Sequence, residues 1–267
     1  MTSNPGGPAP HGNPGGSPPQ GQPPSPGGGT VQPYTPWPTY QALLAVPLIL
    51  GLGLIIGFSV GPLLLGQAGP GDPASALGPA FLISLLLMQC VITAATFVAA
   101  GRYGNNPWQA LALAAPVAGG KAYAIGIAAM VALLVVTNLV LIGLFGHDPL
   151  IDLRAMAKPI RGDDWLLALL VLGIGAPISE ELLIRGFLLP ALKDRPLGFW
   201  GAAALSTALW TLLHIGNSPP GLVEIFLIGM LFCWLLRLTA SLRVPLACHI
   251  VNNVVLVLAL RTLPLPL

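Results

Sequence analysis

Two adjacent carboxylates, Glu180 and Glu181, lie inside an otherwise apolar run, with Arg185 four residues beyond the second. Taken as a helix, Glu181 and Arg185 share one face with the acid N-terminal to the base, the favourable order for an ion pair. At about 100° per residue, Glu180 is rotated by about 100° from Glu181 and about 140° from Arg185, which leaves it the freer carboxylate. Pro177 removes a backbone hydrogen bond to Gly173, so the helix can kink and open just before Glu180. Two histidines accompany these acids. His214 closes the run STALWTLLHIGN, and His249 opens ACHIVNNVV, where Asn253 falls on its face and Asn252 flanks it.

The chemistry that such a set can perform is peptide-bond hydrolysis. A carboxylate in a low-dielectric setting is a stronger base toward water than one in bulk solvent. A histidine beside it can share the proton, and a His–Asn pair on another helix can donate to a developing oxyanion. No separate nucleophilic side chain is needed for this chemistry, because water itself attacks. Zinc held by His214, His249 and Glu180 is chemically possible, but H-E-x-x-H is absent and the composition gives metal no separate support. Cys90, Cys233 and Cys248 lie in predicted spans outside any C-x-x-C pattern and read as small buried thiols. Singly, each polar residue could equally be interhelical glue. Two Glu, one Arg, two His and two Asn gathered on three helices point instead to a site.

The elements that carry these residues follow from composition. Lys and Arg number 11 and Asp and Glu 9, charged residues are 7%, and mean hydropathy is +0.80. A soluble globule of this size could not cover its surface with so few charges, and a net charge of +2 without a basic cluster gives no nucleic-acid-binding surface. The sequence predicts an all-α, polytopic membrane bundle of seven to eight transmembrane helices. Seven spans are read at 41–67, 73–101, 122–146, 165–192, 198–215, 221–238 and 244–263, and the apolar stretch 108–118 is the candidate for an eighth. The three charges within 165–192 cost about 8–10 kcal/mol on the insertion scale, against about 5–9 kcal/mol returned by its strongly apolar residues. Ionisable residues retained at such cost are candidates for function. With the amino terminus inside, Arg102, Lys121, Lys193, Arg195, Arg237 and Arg243 lie on the cytoplasmic side, and Arg154, Lys158, Arg161 and Arg261 outside. The loop at 147–163 opposes this bias and reads as an interfacial amphipathic stretch.

Residues 1–38 hold 12 of the 29 Pro and 9 of the 33 Gly and no Asp, Glu, Lys or Arg. They read as a disordered tail with no signal-peptide character, ahead of a transmembrane domain at 39–267.

At the polar residues the sequence resembles a known family. EELLIR (Glu180 to Arg185) followed by Gly186 is similar to the E-E-x-x-x-R motif of the CPBP intramembrane proteases, the CAAX-prenyl-protease and bacteriocin-immunity-like proteins also called the Abi family. WTLLH (Trp210 to His214) resembles the second motif, F-x-x-x-H, with Trp in place of Phe. HIVNN (His249 to Asn253) resembles the third, H-x-x-x-N, and the resemblance covers roughly 120–265. It implies a multi-pass glutamic-type endopeptidase acting on peptide or protein substrates in or at the bilayer. In this scheme Glu180 activates water with His214, His249 and Asn253 stabilise the oxyanion, and Glu181 and Arg185 hold the site together. The family is described as metal-independent, so neither metal nor cofactor is expected. A non-enzymatic membrane interaction or immunity protein on the same scaffold is the alternative. A proton-coupled transporter using Glu180 and His214 as a relay is a third reading, without the internal repeat that it calls for. Low Lys against Arg (3 against 8) and the Gly/Ala/Pro-rich composition point to a bacterial cell membrane.

Overall fold

The computed structural model describes residues 37–64, 78–102, 106–148, 151–193 and 197–262. The expected tail, apart from Trp37 and Pro38, lies outside the described residues. The charge-free runs form helices, because a backbone without water must satisfy its own N–H and C=O groups. In chain order these are α1 (Thr39–Leu64), α2 (Pro79–Gly101), α3 (Pro107–Ala110), α4 (Gly120–Phe145), α5 (Arg154–Arg161), α6 (Trp165–Leu192), α7 (Gly198–Leu212), α8 (Pro219–Thr239) and α9 (Arg243–Thr262). Among the described residues there is no strand. The molecule is an all-α bundle.

Six helices (α1, α2, α4, α6, α8 and α9) are long and apolar enough to cross a membrane. The fifth expected span is α7, whose 15 residues extend about 22 Å, less than the ~30 Å of a hydrocarbon core. The stretch 108–118 is no span. It forms the four-residue α3 and turns that include Ala112 at φ 55°. Leu111 and Leu113 are apolar because they are buried in the core at one end of the bundle. There Leu242 N–H donates to Ala112 O at 2.8 Å, Ser241 Oγ to Ala114 O at 2.6 Å and Arg243 Nε to Leu113 O at 2.6 Å. At the other end Asp152 accepts from both the backbone N–H and the hydroxyl of Ser218, each at 2.7 Å, and Arg161 Nε donates to Leu260 O at 2.9 Å. The 147–163 loop thus includes a short helix, α5, that turns Ala157 and Ile160 inward.

α6 is the central helix: half of its most apolar stretch is buried, against 22–39% of the corresponding stretch in the other spans. Its turns widen to the i→i+5 pattern at Leu169–Gly175 and at Glu181–Leu188, with Pro177 between the two. Such widenings are rare and concentrate at functional sites. Trp37 anchors the start of α1 to α6, stacking on Phe187 at 4.6 Å while its Nε1–H donates to Phe187 O at 3.2 Å. Thr39 Oγ1 donates to Ala191 O one turn further along α6.

α1 packs against α2 through Gly53, Gly57 and Gly61, one glycine per turn, the small-residue spacing that lets membrane helices approach closely. A Cβ on Gly57 would stand 2.5 Å from the backbone oxygen of Ser84. Gly57→Ala is therefore expected to destabilise the fold by about 1–3 kcal/mol through overpacking. The measurement is unfolding in mixed micelles; an unchanged midpoint would remove close α1–α2 contact as a source of stability.

Candidate active site

The site grows from α6, which offers Glu180 and Glu181 in opposite circumstances. Glu181 and Arg185 are both fully buried and form an ion pair, Nη1 to Oε1 at 3.1 Å, across one turn of the widened segment. The same Glu181 oxygen receives the Nδ1–H of His249 from α9 at 3.0 Å. Arg185 lies with its guanidinium carbon 4.3 Å from the Trp210 ring of α7 and 5.7 Å from the Phe232 ring of α8. Aromatic faces on either side favour a cation there. Space for the guanidinium depends on Gly229, where a Cβ would fall 2.6 Å from both Arg185 Nη2 and Thr207 Cγ2.

Glu180 is only partly buried. Trp210 Nε1 donates to its Oε2 at 2.7 Å, and among the described residues no other side chain bonds this carboxylate. His214 follows the end of α7 and is also partly exposed. Its Nδ1 lies 3.0 Å from Trp210 O. A carbonyl can only accept, so that nitrogen carries the proton and Nε2 is the ring atom left free.

On α9, His249 is 5% exposed and packs its ring against Trp210 and Phe232, at 5.7 and 5.1 Å between centroids. With Nδ1–H given to Glu181, its Nε2 can donate only in the imidazolium, where both nitrogens carry protons. Asn253 stands one turn on. Its Nδ2 donates to Leu172 O at 3.0 Å, a carbonyl of the first widened stretch of α6, and its Oδ1 accepts from Asn252 at 3.2 Å. One N–H of the Asn253 amide is thereby committed and the other is free.

α6, α7 and α9 thus converge on one polar centre, walled on a fourth side by Phe232 and Gly229 of α8. Glu180, Trp210 and His214 form one connected group; Glu181, Arg185 and His249 form a second. Trp210 joins the two, whereas Asn253 is bonded to the Leu172 carbonyl, eight residues before Glu180 on α6, and is hydrogen-bonded to neither group among the described residues. The role of Trp210 as a donor was not visible in the sequence, where it stood only as an aromatic replacing an aromatic. Its position four residues before His214, one helical turn, was the available signal. Among the described residues no group of three or more His, Cys, Asp or Glu is placed to hold a metal ion.

The fold and this centre define a multi-pass helical membrane protein with a buried ionic cluster in its core. Residues 162–255, which run from the start of α6 into α9 and contain all three motifs, match the family described as Type II CAAX prenyl endopeptidase Rce1-like. That match is consistent with the CPBP resemblance and supports a CAAX-type intramembrane protease in general. No curated protein and no solved structure matches the chain.

Proposed function

We propose that the chain is an intramembrane endopeptidase in which Glu180 and His214 activate water, and His249 and Asn253 stabilise the oxyanion. The observation that carries this reading is the contrast between neighbouring carboxylates. Glu181 is ion-paired with Arg185 and hydrogen-bonded by His249, whereas Glu180 has one hydrogen bond and is reachable. A charge clamped in that way supports structure, and a carboxylate left accessible beside it is free to take a proton.

The steps follow from the atoms still available. Water between Glu180 and His214 loses a proton to the carboxylate as its oxygen attacks the scissile carbonyl carbon. The resulting oxyanion is met by the uncommitted Asn253 N–H and by His249 Nε2–H of an imidazolium beside Glu181. Collapse of the tetrahedral intermediate breaks the C–N bond, and the proton held by Glu180 passes to the leaving amine. Arg185 keeps Glu181 in place throughout.

An apolar cavity of about 310 Å³ lies between α1, α6 and α7, lined in part by Leu43, Leu50, Ile184, Leu209 and Leu213. Leu209 and Leu213 directly precede Trp210 and His214 in sequence, so an apolar side chain or acyl segment of a membrane-borne substrate would be bound close to the site. The bacterial cell membrane is the proposed location, on the low Lys-to-Arg ratio.

The test is a comparison of membrane peptides from cells carrying the wild type or Glu180→Gln. Full-length substrates should accumulate in the variant, and their cleaved fragments should be confined to the wild type. Identical peptide profiles would overturn the peptidase reading. If the variant also rescued the phenotype that deletion of the protein produces, the non-enzymatic interaction reading would take its place.

A further inference from the structure

The tryptophan that stands where the resembled motif has phenylalanine touches every ionisable member of the centre except Glu181. It donates from Nε1 to Glu180 at 2.7 Å, accepts from His214 Nδ1 on its carbonyl at 3.0 Å, and lies under the Arg185 guanidinium at 4.3 Å. Its ring meets His214 and His249 nearly edge-on, at 5.1 and 5.7 Å between centroids. At 3% exposure it is buried, so its indole N–H requires an internal partner. Phenylalanine could supply the packing and the cation–π contact, but not the donor.

We propose that Trp210 is a positioning residue for the hydrolytic pair: its indole N–H holds Glu180 Oε2 and its carbonyl holds His214 Nδ1–H, so that Glu180 Oε1 and His214 Nε2 are the atoms turned to water. The inference rests on the peptidase reading of the site. A carboxylate bonded at one oxygen by a 2.7 Å N–H cannot rotate without breaking that bond, and its second oxygen keeps a fixed direction. The imidazole is fixed in the same way, by the carbonyl four residues before it, and lies in the turn that follows α7. One residue therefore orients both partners and sets the base and the histidine relative to each other.

The experiment uses the full chain in detergent micelles with fluorescein-labelled casein as probe. Trp210→Phe should lower kcat by about 10- to 100-fold, the cost of a misplaced reacting group, and leave KM within about two-fold. Its unfolding midpoint should stay near that of the wild type, since the ring stack over Arg185 remains. Unchanged kcat would overturn the proposal, as would a loss of kcat matched by a loss of folded protein. A second measurement does not depend on activity. In protein carrying nitrogen-15 in its tryptophan indoles, the resonance assigned through Trp210→Phe should be protected from solvent exchange. Glu180→Ala should shift it and remove that protection, whereas Glu224→Gln should leave it in place. If it does not respond to Glu180→Ala, the positioning role is wrong even where the peptidase reading stands. If it responds while the wild type leaves casein and all membrane peptides intact, the contact is real but the catalytic role falls with the peptidase reading.

Discussion

Arg185→Ala is expected to destabilise the folded protein by about 3–5 kcal/mol, because it leaves a fully buried Glu181 carboxylate without its cation. His249 remains as a partner for Glu181, but only one of its nitrogens reaches the carboxylate. The aromatic surroundings make the effect larger than a lost ion pair alone, since the guanidinium also fills the space between Trp210 and Phe232. Arg185→Lys keeps the charge but loses the planar stack and should fall between wild type and Arg185→Ala. The cycle with Glu181→Ala gives the sharper result. Removing both partners eliminates the stranded charge, so the double variant should be less destabilised than the sum of the two single variants. Unfolding in mixed micelles measures all four proteins. An Arg185→Ala midpoint equal to that of the wild type would show that this pair does not hold the three helices together.

The ionic centre was legible because its parts lie close in sequence. Glu181 and Arg185 are one turn apart, and that spacing alone brings their charges together even where the helix widens to the i→i+5 pattern. The widening itself left no distinct mark, because Gly173, Gly175 and Pro177 are compatible with an ordinary kink as well. Contacts between helices were less visible. That Trp210 Nε1 meets Glu180 rather than a backbone carbonyl depends on how α7 is set against α6, which no spacing within either helix specifies. His249 was paired in sequence with Asn253 on its own helix face, whereas its direct partner is Glu181, 68 residues away.

Two segments, 108–118 and α7, differ from the spans expected, for a related reason. Hydropathy counts apolar residues without distinguishing lipid from protein as the surroundings. The 108–118 stretch is apolar because Leu111 packs onto Gly186 and Leu242, with its backbone tied to the start of α9. α7 looks long enough because Leu212, Leu213 and Ile215 continue its apolar run, yet the helix ends at Leu212 and the three side chains are exposed. Where α7 stops, His214 is released from regular helix and its Nε2 is left free. The early end is thus part of how the site is exposed.

Glu180→Gln is expected to lower cleavage of fluorescein-labelled casein by about 10²–10⁴-fold, the usual contribution of a general base. The amide keeps the size of the side chain, and its carbonyl oxygen can still accept from Trp210, so the unfolding midpoint should hold. His214→Ala should lose activity over a similar range, since the proposed mechanism gives His214 the second contact to the water. The informative variant is the double one. Residues acting on one water as a unit give non-additive losses, so Glu180→Gln/His214→Ala should be little worse than either single change. Independent contributions would instead multiply, and a double variant at the product of the two single losses would separate His214 from the base. Asn253→Ala offers the contrasting case: the proposed mechanism sets Asn253 on the oxyanion, so its loss should still be measurable beside His214→Ala. Retention of wild-type turnover by Glu180→Gln would remove Glu180 as the base, whatever the other variants do.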